Sequence, residues 1–219
     1  MVTFARARTE PAKAARRADI LAQTLQLWEG ARYEDVTLQE VAVRVGLTKA
    51  ALYGYFPTKE SLFLSLYETL LAAFLADLHR HLRLGGVHSP GSLAALLGSL
   101  LEDHRALVRL IPHHAGLLER NISQERAAQH KLWMLGELAP VAERLEVSLP
   151  GLSGGRGVEL LTYTQALVAG LYPMSDPAPP VRAALQDPHL APMCVTLETA
   201  LPTALAALYR GMVRSPSTD

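Results

Sequence analysis

The chain has 219 residues, a hydrophobic fraction of 49%, and 21 basic against 21 acidic side chains, so its formal net charge is zero. That length suffices for a full core, as one domain or as a small domain joined to a larger one, and a zero balance excludes whole-molecule attraction to nucleic acid, leaving only local clustering. Cys194 is the single cysteine, which excludes an internal disulfide and leads us to expect a reducing, cytoplasmic setting.

Apolar residues recur at three-and-four spacing almost throughout, and runs of alternating Val, Ile and Thr are missing, so the expected fold class is all-α. The first residues lack the continuous apolar core of a secretory signal, and no window holds eighteen uninterrupted apolar residues, so no membrane partner is expected. Arg6, Arg8, Lys13, Arg16 and Arg17 form a basic cluster with only Glu10 as acidic company before Asp19; it reads either as a solvated arm or as an electrostatic footprint. A first helix is predicted over 12–29, with Ile20, Leu21, Leu25 and Trp28 inward and Gly30 closing it. Thr37 and Glu40 form a capping box for a short second helix carrying Leu38, Val41, Ala42 and Val45, which Gly46 ends. A third helix runs from Thr48 to just before Pro57. A fourth starts at Thr58 and carries Leu62, Leu66, Leu70, Phe74 and Leu78 to about Arg83, long enough to leave one domain and enter the next.

Two short helices around a glycine turn form a helix-turn-helix, whose second helix is able to lie in the major groove of DNA. Leu38, Val41, Val45, Leu47 and Leu52 pack the pair inward, while Thr48, Lys49, Ala50, Ala51, Gly54 and Tyr55 leave a narrow outer face of low bulk. The spacing of Gly30, Tyr33, Thr37, Glu40, Val41, Ala42, Gly46, Leu47, Lys49, Leu52, Tyr53, Tyr55, Phe56, Lys59, Glu60 and Leu62 resembles the DNA-binding domain of the TetR family of bacterial transcriptional regulators, over roughly residues 11–67. The resemblance implies that Lys49, Ala50, Ala51 and Gly54 face base edges and that Thr37, Thr48, Tyr53, Tyr55 and Lys59 hold phosphates. An alanine methyl offers only contact with a thymine methyl, which leaves Lys49 as the candidate for hydrogen bonding to guanine O6 or N7. The implied partition is a helix-turn-helix domain with its basic arm at 1–57 and a helical ligand-binding and dimerisation domain at 58–219.

Past residue 84, "LGGVHSPGS" is the clearest break. Helices are predicted over 92–111, around 113–121, and over 123–147 with a kink at Pro140. A helix at 156–172, apolar on nearly every side, requires burial on both faces. A final helix, 191–214, carries Leu197, Leu201, Leu205, Leu208 and Met212. The family habit of pairing the last two helices in a homodimer places Val158, Leu161, Val168, Leu197, Leu201, Leu205 and Leu208 in the dimer interface, and a twofold dimer would read a palindromic operator with recognition helices about 34 Å apart. A pocket among 92–111, 123–147 and 156–172 is the default effector site, lined by His104, Leu107, His114, Leu117, Trp133, Met134, Tyr163, Gln165 and Tyr172 and suited to an apolar molecule. No cofactor and no metal site is expected: His113 and His114 are adjacent, His79 and His81 are two apart, and no Cys or carboxylate follows a histidine at i+3 or i+4. The expected function is a ligand-responsive repressor released from palindromic DNA by a small apolar effector, not an enzyme. The alternatives are a metal-responsive or ligand-independent DNA-binding protein, or a small helical enzyme using His104 or His114 as base.

Overall fold

The computed structural model describes residues 9–152 and 154–213. Arg6 and Arg8 of the basic cluster, and the predicted end of the last helix at Arg214, lie outside the described residues. Among the described residues every regular element is helical: α1 Glu10–Gly30, α2 Leu38–Arg44, α3 Lys49–Tyr53, α4 Lys59–Gly85, α5 Pro90–Asp103, α6 Arg105–His113, a π-helical turn His114–Leu118, α7 Gln124–Ser148, α8 Gly157–Ser175, α9 Pro179–Ala184, a 3-10 turn Pro188–Met193 and α10 Leu197–Met212. The chain divides into two compact units, Met1–Thr69 with His114–Gln124, and Leu70–His113 with Glu125–Asp219.

In the first unit local chemistry sets each helix boundary. Thr9 caps α1, accepting from the Ala12 amide at 3.4 Å. The capping box on α2 is complete: Thr37 Oγ1 accepts from the Glu40 amide at 3.2 Å while Glu40 Oε2 accepts from the Thr37 amide at 2.9 Å. Gly46 has φ of 67°, the left-handed conformation that terminates α2, and the amides of Gly46 and Leu47 return to the carbonyls of Val43 and Ala42. That is a Schellman closure, which glycine adopts without the Cβ penalty of other residues. Thr48 caps α3 through the Ala51 amide at 3.2 Å, and Thr58 caps α4 through the Ser61 amide at 3.0 Å. Ile20, Trp28, Val41, Ala42, Leu52, Phe56 and Phe63 are buried around this turn, each of the larger ones contributing roughly 1.5–3 kcal/mol of apolar burial. Trp28 and Tyr33 meet the Phe63 ring edge-on at 5.7 and 4.8 Å.

From α4 onward the chain departs from the sequence expectation at several points. The single helix expected over 92–111 is two helices, because the chain leaves helical geometry at His104 (φ −103°, ψ 41°). His104 Nε2 lies 3.0 Å from Asp77 Oδ2 of α4, its ring meets Phe74 edge-on at 5.5 Å, and its carbonyl accepts from the amides of Leu107 and Val108 to start α6. The break thus follows from a tertiary contact and carries no Gly or Pro signal. The helix expected over 113–121 is the π-helical turn, and the last helix begins only at Leu197, after the unanticipated α9 and the 3-10 turn. Pro140 sits inside α7 without ending it. The most apolar window of α4, mean hydropathy 1.5, meets the length and composition of a membrane span, but 61% of it is buried inside the protein, as in the core helix of a globular domain.

Helices α5, α6, α8 and α10 form the packed body of this unit. Two glycines permit close crossings. A Cβ on Gly98 would stand 2.8 Å from Pro202 Cγ, and one on Gly157 would stand 2.3 Å from the Ala142 carbonyl oxygen. The hydroxyls of Thr164 and Tyr209 share a buried hydrogen bond of 2.7 Å between α8 and α10. Here the expected dimer residues need correction: Leu161, Val168, Leu201 and Leu205 are buried within this single chain, at 7, 0, 2 and 0% exposure, and Val158, Leu197 and Leu208 are half-buried. Those four buried residues belong to the intrachain core, and the residues that α8 and α10 expose include Thr162, Tyr163, Ala166 and Gly170, and Thr199, Thr203, Ala207 and Arg210.

Candidate nucleic-acid interface and small-molecule cleft

Helix α3 presents Lys49, Ala50, Ala51, Tyr53 and Gly54 outward while Leu52 is fully buried. A five-residue helix with one anchoring leucine therefore offers nearly its whole circumference to a partner. Lys49 Nζ stands 5.8 Å from the centroid of the Tyr53 ring, which is 43% exposed, so a cation and a phenol share one edge. Arg17 anchors the unit from α1: its guanidinium donates to the Tyr55 carbonyl at 3.3 Å and to Ser65 Oγ at 2.6 Å and lies 4.2 Å over the Phe56 ring. That fixes the α3 to α4 connection and gives one member of the basic cluster a structural task. Thr37 and Thr48 are exposed, with side chains occupied as helix caps, and Tyr55 is half-buried.

Lys59 requires a correction. Its ammonium donates to the carbonyl of Tyr33 and, at 3.5 Å, to that of Glu34, and lies 4.1 Å over the Tyr33 ring. Burial lowers its pKa, opposed by the charges of Glu34 and Glu60. These contacts tie the chain after α1 to the start of α4 and give Lys59, expected at a phosphate, a bracing role within the protein.

The nine expected ligand residues are distributed over both compact units. His114 and Leu117 belong to the first compact unit, where the His114 ring stacks on Tyr67 at 4.2 Å and its Nε2 lies 3.2 Å from Glu119 Oε1. His104 is engaged with Asp77. Tyr163 is 43% exposed and donates to Glu159 Oε1 at 2.9 Å. Leu107 is buried core, Trp133, Met134 and Gln165 are half-buried, and Trp133 stacks on His130 at 6.0 Å. Only Tyr172 faces the cleft that the second unit does contain, a half-open cavity of about 370 Å³ between α5, α6, the end of α8 and the start of α10.

That cleft has an apolar wall of Leu101, Val108, Leu201 and Pro202 and carries Glu102, Arg105, Arg109, Asp176 and Glu198. The cleft thus joins an apolar wall to charged groups, whereas the aromatic content led us to expect an apolar effector. Burial raises the Tyr172 pKa, and the Asp176 carboxylate raises it further, while Arg109 opposes. Arg182 holds Asp176 at 2.7 Å. This cleft is not legible in the sequence because its charges come from α5, α6, the residue after α8 and α10, whose proximity is tertiary. The His114–Glu119 pair was missed for a different reason: the π-helical turn closes with the Glu119 amide on the His114 carbonyl at 3.2 Å, so residues five apart share a face, whereas the sequence rule inspects three and four.

A family model described as "Bacterial regulatory proteins, tetR family" matches residues 20–66, and one described as "Tetracyclin repressor-like, C-terminal domain" matches residues 68–216. The chain is similar to the nucleoid occlusion factor SlmA of Haemophilus influenzae strain PittGG, 29% identical over 118 residues covering 52% of this chain and 54% of the relative. It is 30% identical to the SlmA of Vibrio campbellii over 122 residues, 53% of this chain and 61% of that one. The chain thus spans about half the length of the curated relatives it matches. The crystal structure of a transcriptional regulator from Cytophaga hutchinsonii shares the fold, with a TM-score of 0.51 and 18% identity over 90% of this chain and 98% of that one. With both models matched in succession and the helix-turn-helix in place between α2 and α3, the chain belongs to the TetR family of bacterial transcriptional regulators.

Proposed function

We propose that this regulator is a ligand-responsive repressor that binds a palindromic operator as a homodimer. The observation that carries the reading is the α3 surface: Lys49, Ala50, Ala51 and Gly54 are exposed on a capped helix held by Leu52 and Arg17. Lys49 hydrogen-bonds a guanine edge, the alanines admit the groove wall, and Tyr53 and the amides at the start of α3 hold phosphates. Two copies pair through the exposed faces of α8 and α10. Effector bound in the second unit shifts α4, which runs unbroken from residue 59 to 85, and changes the separation of the two α3 helices. Because both half-sites are engaged together, a change of a few ångströms removes most of the affinity.

The test is a gel shift against DNA upstream of the protein's own gene, with a sequence-scrambled duplex as competitor over a salt series. Retention that survives the scrambled competitor and is lost with effector supports the repressor. Equal loss to both duplexes, with a steep salt slope, points to sequence-independent DNA binding and overturns it. The relatives' name attaches to nucleoid occlusion, and a chromosome-wide footprint with many dispersed sites, in place of a few promoters, would favour such a role.

A further inference from the structure

We propose that the cleft of the second unit binds a small amphipathic zwitterion, a molecule with an amine and a carboxylate on an apolar body. The proposal rests on the effector reading above and names the class of effector. A volume of about 370 Å³ falls in the range of small-molecule sites, where a few placed polar groups set orientation over an apolar wall. Leu101, Val108, Leu201 and Pro202 supply that wall.

The charges divide into two sets. Arg109 and Asp176 are joined through the Tyr172 hydroxyl, and Asp176 is held by Arg182, so this pair is satisfied without a ligand. The side chains of Arg105, Glu102 and Glu198 line the same cleft, yet they make no hydrogen bond or ion pair with one another or with any other described residue. Arg105 opens α6 just after the break at His104, Glu102 stands in the last turn of α5, and Glu198 in the first turn of α10. The fold therefore brings one unpaired cation and two unpaired anions to the rim of one apolar cavity. A purely anionic ligand would meet Arg105 but face two carboxylates, and a purely cationic one would face the guanidinium. Only a ligand with both signs pairs each group it desolvates.

The test uses ω-aminoalkanoates from 5-aminopentanoate to 8-aminooctanoate, each beside the alkanoate and the alkylamine of equal chain length. Binding to the full-length protein is followed by calorimetry, and operator affinity is measured in the same samples. The expected result is binding that peaks at one chain length and falls about tenfold or more when either charged end is missing. Arg105→Met and Glu198→Gln, both at solvent-exposed positions and checked for unchanged helicity and melting, should each remove that advantage. No binding by any aminoalkanoate, equal binding by a single-charge homologue, or undiminished binding to Arg105→Met would overturn the proposal. The effector reading fails separately: a probe that occupies the cleft by these criteria but leaves operator affinity unchanged sinks regulation through this site while the zwitterion site stands.

Discussion

At the residue scale, the informative side chains are those that do one task visibly. Lys49 has no structural duty beyond its approach to the Tyr53 ring. Lys49→Ala should relax base preference at one position per half-site, at about 1–3 kcal/mol per contact, without lowering the melting temperature; a randomised-operator selection reads this directly. Tyr209 is the opposite case. Its hydroxyl is fully buried against Thr164, and burial pushes its pKa above the ordinary value of 10. A raised folded pKa means that the folded state keeps its proton longer, so this stabilisation is complete below pH 10 and is lost as pH rises beyond it. Tyr209→Phe should cost about 1 kcal/mol at neutral pH and make the alkaline decline in stability shallower, which urea titrations at several pH values would show.

At the element scale, short helices depend on their ends. The α2 helix has seven residues, too few to hold by propensity alone, so its capping box and glycine closure carry much of its definition. Thr37→Ala should lower stability by about 1 kcal/mol, seen as a shift in denaturation midpoint with the slope unchanged. The α7 to α8 crossing is more demanding, since the missing Cβ of Gly157 would lie 2.3 Å from a backbone oxygen that cannot rotate away. Gly157→Ala should therefore cost about 3 kcal/mol, whereas the same change at Gly170, inside α8 with nothing within 4 Å, should stabilise by about 0.5–1 kcal/mol.

At the scale of the whole molecule, the dimer proposal changes which mutations test it. Leu201→Asp with Leu205→Asp would place charges in the intrachain core, with exposures of 2 and 0%, and should unfold the second unit before it reports on association. Ala166→Arg with Ala207→Arg instead loads the exposed faces of α8 and α10. That variant should stay helical, sediment as a monomer and lose palindrome binding; a dimer surviving it would place the interface elsewhere.

The sequence by itself determined the all-α class and the DNA-reading unit down to individual caps. Those features are local: a threonine three residues before a glutamate, a glycine after a short amphipathic run and a buried leucine after two exposed alanines each act within one helical turn. It also carried the family resemblance, which rests on the same local spacing. Only the tertiary structure decided that His104 breaks a helix by reaching Asp77, that Lys59 turns inward onto the Tyr33 carbonyl, that Leu201 and Leu205 belong to the core, and that Arg105, Glu102 and Glu198 share a cleft with Tyr172. Helical periodicity states that a residue faces inward but not which surface it meets. A leucine stripe is thus equally consistent with a core and with a partner, and charges on separate helices become a site only when packing brings their faces together.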